Sequence, residues 1–228
     1  MLENLFANTD SSYRLCIVDN GSKDGTVDWL PSILEKKPEN CQTIDFQFNK
    51  ENRGIAIGRN QGLKLANKYN DPYLAAMDND VEVPLGWLKE CTDIIDANPN
   101  FCIGVNMEDK PYPLKTLNGK TFQVKSMGNL GTACMVMPRK LHQAIGYFYG
   151  FGDLYGEDDS DWGTRARVAG YQMGYIQSMG NHFGSGELDK GEYREFKDNC
   201  RKGHMNKYKE TAMKYMRQEK SIYIDFTE

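Results

Sequence analysis

Two carboxylates separated by a single residue form the first pattern in the chain that could do chemistry. Asp78-Asn79-Asp80 follows the apolar residues 73–77, which the pattern predicts to be a strand. Carboxylates at one strand end can share a hard divalent cation, and that cation can bridge the oxygens of a diphosphate. Taken alone, the tripeptide fits an ordinary Asp- and Asn-rich turn equally well.

A second acidic cluster, Glu157-Asp158-Asp159-Ser160-Asp161, lies at the start of a predicted helix. Acids are favoured at helix starts because they cap exposed amides and complement the helix dipole, but capping accounts for one acid and not for four. A carboxylate can act as a general base when burial or neighbouring acids raise its pKa. The cluster is therefore a candidate for proton abstraction.

Three further side chains could contribute to a site. Asp19 and His182 each follow a predicted strand, and Arg59 lies in a predicted helix. Imidazole suits Mn²⁺, and an arginine fork suits planar or phosphate acceptors. The plain alternatives are a structural histidine, a turn-forming aspartate and a solvated helix charge. His142 and His204 have no such support, and we expect both at the surface.

The elements that must position these side chains follow from hydrophobic periodicity. Strands are predicted at 13–18, 43–48 and 73–77, each followed by a helix, and further strands at 101–107, 131–137 and 171–176. Successive strand–helix units imply a largely parallel sheet covered by helices. In such sheets ligands bind beyond the carboxyl ends of the strands, where Asp19 and Asp78 lie.

The remaining chain suggests one core domain with an extension. Helices are predicted at 139–145, 158–169 and 192–217, a long irregular insertion at 108–125 and a strand-like tail at 221–226. We place a domain boundary near Glu187, which gives a core of residues 1–187 and a helical extension of residues 188–228. Long loops such as 108–125 often carry specificity.

Composition excludes several classes of function. The 228 residues include 28 basic and 32 acidic ones, a net charge of −4, which argues against nucleic acid as a partner. The sequence contains no run of about 18 apolar residues, so it predicts no transmembrane segment. Six cysteines without a Cys-x-x-Cys pair favour buried, reduced thiols and a cytoplasmic setting. Lysines and tyrosines near the carboxyl terminus would allow peripheral membrane association, although a solvated helix face explains them as well.

Taken in order, these motifs resemble the GT-A-fold glycosyltransferases of family 2 over residues 2–185. The matching segments are Val18-Asp19-Asn20-Gly21-Ser22-Lys23-Asp24-Gly25-Thr26, Asn52-Arg53-Gly54, Gly58-Arg59-Asn60-Gln61-Gly62, Met77-Asp78-Asn79-Asp80, Glu157-Asp158-Asp159-Ser160-Asp161 with Arg165, Ala169-Gly170-Tyr171, and His182. Each segment is weak alone, but an ordered set at suitable separations is specific.

The resemblance implies a metal site and a base. Asp78, Asp80 and His182 would hold Mn²⁺ or Mg²⁺, which neutralises the departing nucleotide diphosphate. Asp159 would take the proton of the acceptor hydroxyl, and a shift of one residue would assign that role to Asp158 instead.

The resemblance also implies residues that bind the substrates. The nucleotide side would comprise Asp19, Asn20, Asn52, Gly54, Arg59 and Asp78, and the acceptor side Gly131 and Thr132. Trp162 and the tyrosines at 147, 149 and 155 would stack on sugar faces, although core packing is the commoner role of such rings.

The chain departs from the family at its beginning. The family has one further strand ahead of the first helix, whereas Met1 here begins inside that helix. An uncovered central edge exposes unpaired backbone groups, so we expect something to cover it. The sequence leaves three candidates: a preceding segment of chain, the tail at 221–226, or a second chain in a homo-oligomer or a complex.

The sequence thus predicts a metal-dependent inverting transferase that moves a sugar from a nucleotide diphosphate donor, a UDP-sugar by preference, to a hydroxyl of a glycan, protein or lipid-linked acceptor. A non-catalytic module that binds nucleotide sugars or glycans is the alternative. A nucleotidyltransferase is disfavoured because no glycine-rich phosphate loop opens the chain.

Overall fold

The computed structural model describes residues 1–107, 112–125, 129–152, 154–183 and 191–226. The domain boundary expected near Glu187 and the first part of the 108–125 insertion lie outside the described residues. None of the helices in the described ranges is long and apolar enough to span a bilayer.

The helices and strands alternate as predicted through most of the chain. The helices are α1 Leu2–Asn8, α2 Thr26–Trp29, α3 Ile55–Ala66, α4 Trp87–Ala97, α5 Arg139–Ile145, α6 Asp158–Val168 and α7 Glu192–Met216. The strands are β1 Tyr13–Asp19, β2 Cys41–Phe48, β3 Tyr73–Met77, β4 Val81–Glu82, β5 Phe101–Asn106, β6 Leu114–Leu117, β7 Lys120–Val124, β8 Cys134–Pro138, β9 Gln172–Met179 and β10 Asn181–His182. The helix expected after β1 is interrupted: α2 has four residues and a 3₁₀ helix, Leu30–Lys36, follows with Pro31 in its first turn. Proline lacks the N–H that a continuing α-helix would use.

The main sheet is mixed rather than mainly parallel. Six strands run in the order β3-β8-β5-β9-β7-β6, and β5 and β9 are its parallel neighbours. A separate parallel pair is formed by β1 and β2, and β4 pairs with β10.

The 108–125 insertion is not irregular where it is described, because it contains the β6–β7 hairpin. Asn118 and Gly119 join the two strands with φ values of 49° and 76°. Asn-Gly is the preferred pair where both central residues of a hairpin turn need positive φ. This local signal was present in the sequence, and the prediction of an irregular loop was wrong.

Helices cover both faces of the sheet. Along β8, Met135 and Met137 pack into a core with α3, α5 and α6, while Cys134 and Val136 pack into a second core with α1 and α4. The alternation follows from the two-residue period of a strand. The mixed α/β fold is therefore the predicted class, with its helices in two outer layers.

A gap separates β1 from β3 in the described structure. Both strands line one cavity of about 1400 Å³. Their carboxyl ends both lie near the start of α3. Asn20, which follows β1, accepts a hydrogen bond of 3.0 Å from Arg53 N just before the helix, and Arg59 of the helix binds Asp78, which follows β3. At their amino ends an ion pair joins Arg14 to Asp71. The two strands thus run in the same direction with unpaired edges facing each other.

The carboxyl-terminal tail does not fill this gap. Ile224 forms an isolated bridge with Gly146, and its N–H donates to the carbonyl of Ile145 at 3.0 Å. A Cβ on Gly146 would lie 1.9 Å from the carbonyl oxygen of Ile224, so only glycine fits there. Of the three covers considered for the free edge, the tail at 221–226 is therefore excluded in this conformation.

Four of the six cysteines are buried as expected, Cys16 and Cys200 are only partly buried, and two histidines differ from expectation. All six cysteines lie in the described part as free thiols, and burial raises the pKa of Cys102 and Cys134 above the usual range. His142 and His204, expected at the surface, are buried. His142 Nδ1 lies 3.1 Å from the carbonyl oxygen of Gly146 at the end of α5, and burial lowers its pKa.

Candidate functional site

Acids that lie far apart in the sequence line the same cavity. Asp78 and Asp80 follow β3, Asp158 and Asp159 open α6, and both pairs line the same cavity with His182. Since β3 and α6 are 80 residues apart in sequence, only the tertiary fold brings these groups together. The sequence prediction depended on this meeting.

Three side chains form a group that could hold a divalent cation. Ligand atoms of Asp78, Asp80 and His182 all lie within 4.8 Å of one another. Pairing of β10 with β4 places His182 opposite Val81, and Phe183 N donates to the carbonyl of Asp80 at 2.8 Å. His182 Nε2 lies 3.3 Å from Asp80 Oδ1. Two carboxylates and an imidazole suit Mn²⁺ or Mg²⁺.

Arg59 joins the two acidic groups. Its Nη2 donates to Asp78 Oδ1 at 2.7 Å, its Nη1 donates to Asp158 Oδ2, and its guanidinium lies 5.6 Å from the ring of Phe148. Burial by itself lowers the pKa of Arg59, but the two carboxylates outweigh it and the pKa ends above its ordinary value. The predicted contact of Arg59 with base or phosphate therefore competes with two existing salt bridges.

The two adjacent aspartates of α6 have different environments. Asp158 is buried, and burial together with Asp159 raises its pKa although Arg59 acts in the opposite direction. A single guanidinium shared with Asp78 does not compensate for that desolvation. Asp159 is half-buried, and its Oδ1 accepts a hydrogen bond of 2.7 Å from Ser160 N. Both carboxylates line the cavity, and Asp159 is the more exposed of the two.

The other two acids of the cluster have structural surroundings. Glu157 is buried and precedes the helix with φ of 61°. Asp161 is fully buried, accepts a hydrogen bond from Arg165 Nε at 2.6 Å and another from Tyr215 Oη at 3.0 Å. Arg165 also donates to the carbonyls of Ile145 and Tyr147. Asp161 thus fastens α6 to α7, which sequence reasoning missed despite the i,i+4 spacing of Asp161 and Arg165.

The loop after β1 is braced internally. Asp19 Oδ1 accepts hydrogen bonds from Gly21 N and Ser22 N at 3.1 and 3.0 Å, as in the turn considered for it. Asn20 Nδ2 donates to Asn52 Oδ1 and to the carbonyl of Gly54. Asp19, Asn20 and Asn52 all border the cavity, whereas Gly54 acts as the N-cap of α3 with φ of 86°. The predicted nucleotide-side residues are thus together, but several of their polar atoms already hold the loop.

The predicted acceptor-side residues are divided. Thr132 is buried and lines the cavity, whereas Gly131 is exposed and lies outside it. Trp162 is fully buried and stacks on Phe148 with centroids 5.9 Å apart. Trp162 is a core residue, so the structure contradicts its predicted contact with a sugar. Tyr155, by contrast, does line the cavity.

Two basic residues of the cavity were missed. Lys197 and Arg201, in the first half of α7, border it beside the acids of α6. Their sequence signal is only an i,i+4 spacing in a helix with many charges, which does not distinguish them from solvated neighbours.

Sequence comparisons give relatives for most of the chain. A family model described as glycosyl transferase family 2 matches residues 1–151. The glycosyltransferase AglE of Haloferax volcanii is 25% identical in an alignment of 199 positions that covers 81% of this chain and 62% of AglE. An uncharacterized glycosyltransferase of Bacillus subtilis, YfnE, is 44% identical over 57 residues, 25% of this chain and 13% of YfnE. The chain spans less than two thirds of the length of either relative.

Solved structures share the fold. A mannosyltransferase of Pyrobaculum calidifontis, in complex with GDP-Man and Mn²⁺, has a TM-score of 0.62 at 18% identity, covering 86% of this chain and 54% of that one. TarS of S. aureus, in complex with UDP-GlcNAc, has a TM-score of 0.58 at 15% identity, covering 82% and 56% respectively. The GT-A architecture expected from the motifs is confirmed.

Proposed function

The chain belongs to glycosyl transferase family 2, and on that premise we propose that it transfers a sugar from a nucleotide diphosphate donor to an acceptor hydroxyl with inversion. The observation that carries the proposal is the meeting of Asp78 and Asp80 with Asp158 and Asp159 in one cavity. A site that holds a diphosphate beside a general base is what such a displacement requires.

The metal trio Asp78, Asp80 and His182 is proposed to hold Mn²⁺ or Mg²⁺. A divalent cation there would supply positive charge to the departing diphosphate. The half-buried position of all three side chains leaves them accessible from the cavity.

Asp159 is the proposed base. Its half-buried carboxylate lines the cavity, whereas Asp158 is buried and paired with Arg59. Removal of the acceptor proton by Asp159 would make the hydroxyl oxygen a stronger nucleophile, which attacks the sugar from the face opposite the leaving group. Asp158 is then a positioning residue that holds Arg59 between the two carboxylate pairs.

A uridine diphosphate sugar is our first candidate for the donor. Structural relatives were solved with GDP-Man and with UDP-GlcNAc, so both nucleotides belong in the test. For the acceptor we propose only that it carries a hydroxyl group, which glycans, proteins and lipid-linked compounds all do.

Turnover of a panel of UDP- and GDP-sugars with Mn²⁺ or Mg²⁺ tests the proposal. We expect Asp159→Asn and Asp80→Ala each to lower kcat by about 100-fold or more, because one loses the base and the other a metal ligand. Mn²⁺ affinity should fall in Asp80→Ala and stay unchanged in Asp159→Asn. Glu210→Gln, which removes an exposed carboxylate of α7, is the matched control. Turnover equal to wild type in both site variants would sink the proposal.

The gap between β1 and β3 favours a second candidate, a binding module without turnover. Asp19 ends β1, whose edge toward β3 is unpaired in the described structure, so the proposed nucleotide side of the site adjoins the gap. Metal-dependent binding of a nucleoside diphosphate without consumption of any donor would support this alternative over the transferase.

A further inference from the structure

Two basic side chains of α7 face the cavity beside the acids of α6. Lys197 and Arg201 are four residues apart and so lie on one face of the helix. Both border the cavity together with Asp158, Asp159 and His182. This part of α7 therefore belongs to the wall of the site.

The ring of Tyr155 holds both cations in place. Lys197 Nζ lies 5.3 Å and the Arg201 guanidinium 5.4 Å from the ring centroid. Arg201 Nη2 also donates to Tyr155 Oη at 3.4 Å, and the Arg201 side chain packs against Gly156. One aromatic ring thus positions both cationic groups at the edge of the cavity.

The charges at the proposed metal site indicate a role for Lys197 and Arg201. A divalent cation would offset the two carboxylates of the metal trio, so a bound diphosphate needs positive charge from elsewhere. The other basic side chains lining the described cavity are Arg59, shared by Asp78 and Asp158, and Arg14, paired with Asp71 at the far end. Lys197 and Arg201 both contact Tyr155, which lies three residues before Asp158, and Arg59 joins Asp158 to the metal ligand Asp78.

We propose that Lys197 and Arg201 bind the diphosphate of the donor from α7, with Tyr155 as the residue that positions both; this inference rests on the proposed function. The arginine fork can bind two phosphate oxygens and the ammonium acts as a point charge. The carboxyl-terminal helix is thereby a component of the donor site and not an appendage to it.

Calorimetric titration in the presence of Mn²⁺ tests the assignment through phosphate-specific binding. The probes are UDP and GDP with their parent nucleosides, uridine and guanosine. We expect Lys197→Gln and Arg201→Gln each to raise the Kd of the bound nucleoside diphosphate about tenfold, and to leave the Kd of the nucleoside within about twofold. Lys202→Gln and Lys207→Gln, which remove exposed cations of α7 outside the cavity, should leave both constants unchanged.

The outcomes separate this inference from the function on which it rests. A wild-type chain that binds a diphosphate, with unchanged affinity in both cavity variants, would overturn the role of α7 and leave the proposed function standing. Equal loss of affinity for nucleoside and diphosphate would also overturn it, because a displaced helix and not a lost phosphate contact would be the cause. A wild-type chain that binds neither UDP nor GDP would overturn both.

Discussion

Arg59 is the residue on which the electrostatics of the site converge. It donates to a proposed metal ligand, Asp78, and to a buried carboxylate, Asp158, from one guanidinium. Removing either carboxylate changes how strongly Arg59 holds the other. Effects of substitutions at these three positions should therefore be non-additive.

The raised pKa of Asp158 predicts a dependence of stability on pH. Between the ordinary value of 3.8 and the raised native pKa, the folded chain keeps a proton that the unfolded chain has released. The free energy of unfolding contributed by this carboxyl is thus fully present below pH 3.8 and is lost as the pH rises through the native pKa. We expect the stability of wild type relative to Asp158→Asn to decrease with rising pH, measured by urea unfolding in a chelating buffer.

Glu210→Gln, which removes an exposed carboxylate, is the control for that series. A relative stability of wild type that increases with pH would show that Arg59, and not burial, sets the pKa of Asp158.

The sequence singled out acids that line one cavity, but it did not predict their partners. Asp78, Asp80, Asp159 and His182 were recognisable because residue type and position after a strand or before a helix are local properties. The salt bridges of Arg59 join residues 19 and 99 positions apart, and no local pattern encodes such distances. The same limit applies to Trp162, because an aromatic ring on a helix start gives no indication of whether it faces a core or a cleft.

At the scale of elements, α6 is held by a buried polar network. Asp161 accepts from Arg165 within α6 and from Tyr215 of α7, and Arg165 reaches the carbonyls on either side of Gly146. These bonds fix the register of the helix that carries Asp158 and Asp159. Buried polar groups of this kind are costly to disrupt in part.

Removal of one hydroxyl from this network should be measurable. We expect Tyr215→Phe to lower the free energy of unfolding by about 2 kcal/mol, because a fully buried carboxylate loses one charge-assisted hydrogen bond. Tyr223→Phe, at a half-exposed position, is the matched control and should stay within about 0.5 kcal/mol of wild type. Chemical denaturation of both variants measures the difference, and equal stability of the two would contradict the role given to Tyr215.

Element boundaries followed the sequence where periodicity and local signals agreed. The strand–helix succession, α5 and α7 were predicted almost to the residue. Strand direction was not predicted, since β8 pairs antiparallel with both β3 and β5 through contacts that lie far apart in the chain. The first three strand–helix units led to the prediction of a mainly parallel sheet. The later strands do not follow that pattern, because β8 lies antiparallel between β3 and β5.

At the scale of the whole molecule, β1 and β3 face each other with edges that no other described strand pairs. The cavity between them is lined by Leu15, Leu74 and other apolar side chains, and its two edges present backbone donors and acceptors. Both the apolar lining and the free edges suit an extended polypeptide segment. Coverage of this gap by a further strand remains a proposal.

A designed strand offers a direct measurement of that proposal. Joined ahead of Met1 by a short flexible linker, six alternating valine and isoleucine residues should raise the Tm by about 5 °C, because they bury apolar surface and pair the free edges. The same extension with proline at its two central positions is the control, since proline cannot donate to a ladder. Equal Tm values for the two extensions would contradict a strand-accepting gap.

The extent of this cavity has a chemical consequence. It runs from Asp19 and Asp78 at one end of the two strands to Arg14 and Asp71 at the other, so within the described ranges no strand lies between β1 and β3 behind the proposed reaction centre. Water entering from that side would compete with the acceptor for the donor sugar of the proposed reaction. We therefore expect hydrolysis of the donor to be high relative to glycosyl transfer while the gap is open, and to fall when an added strand fills it.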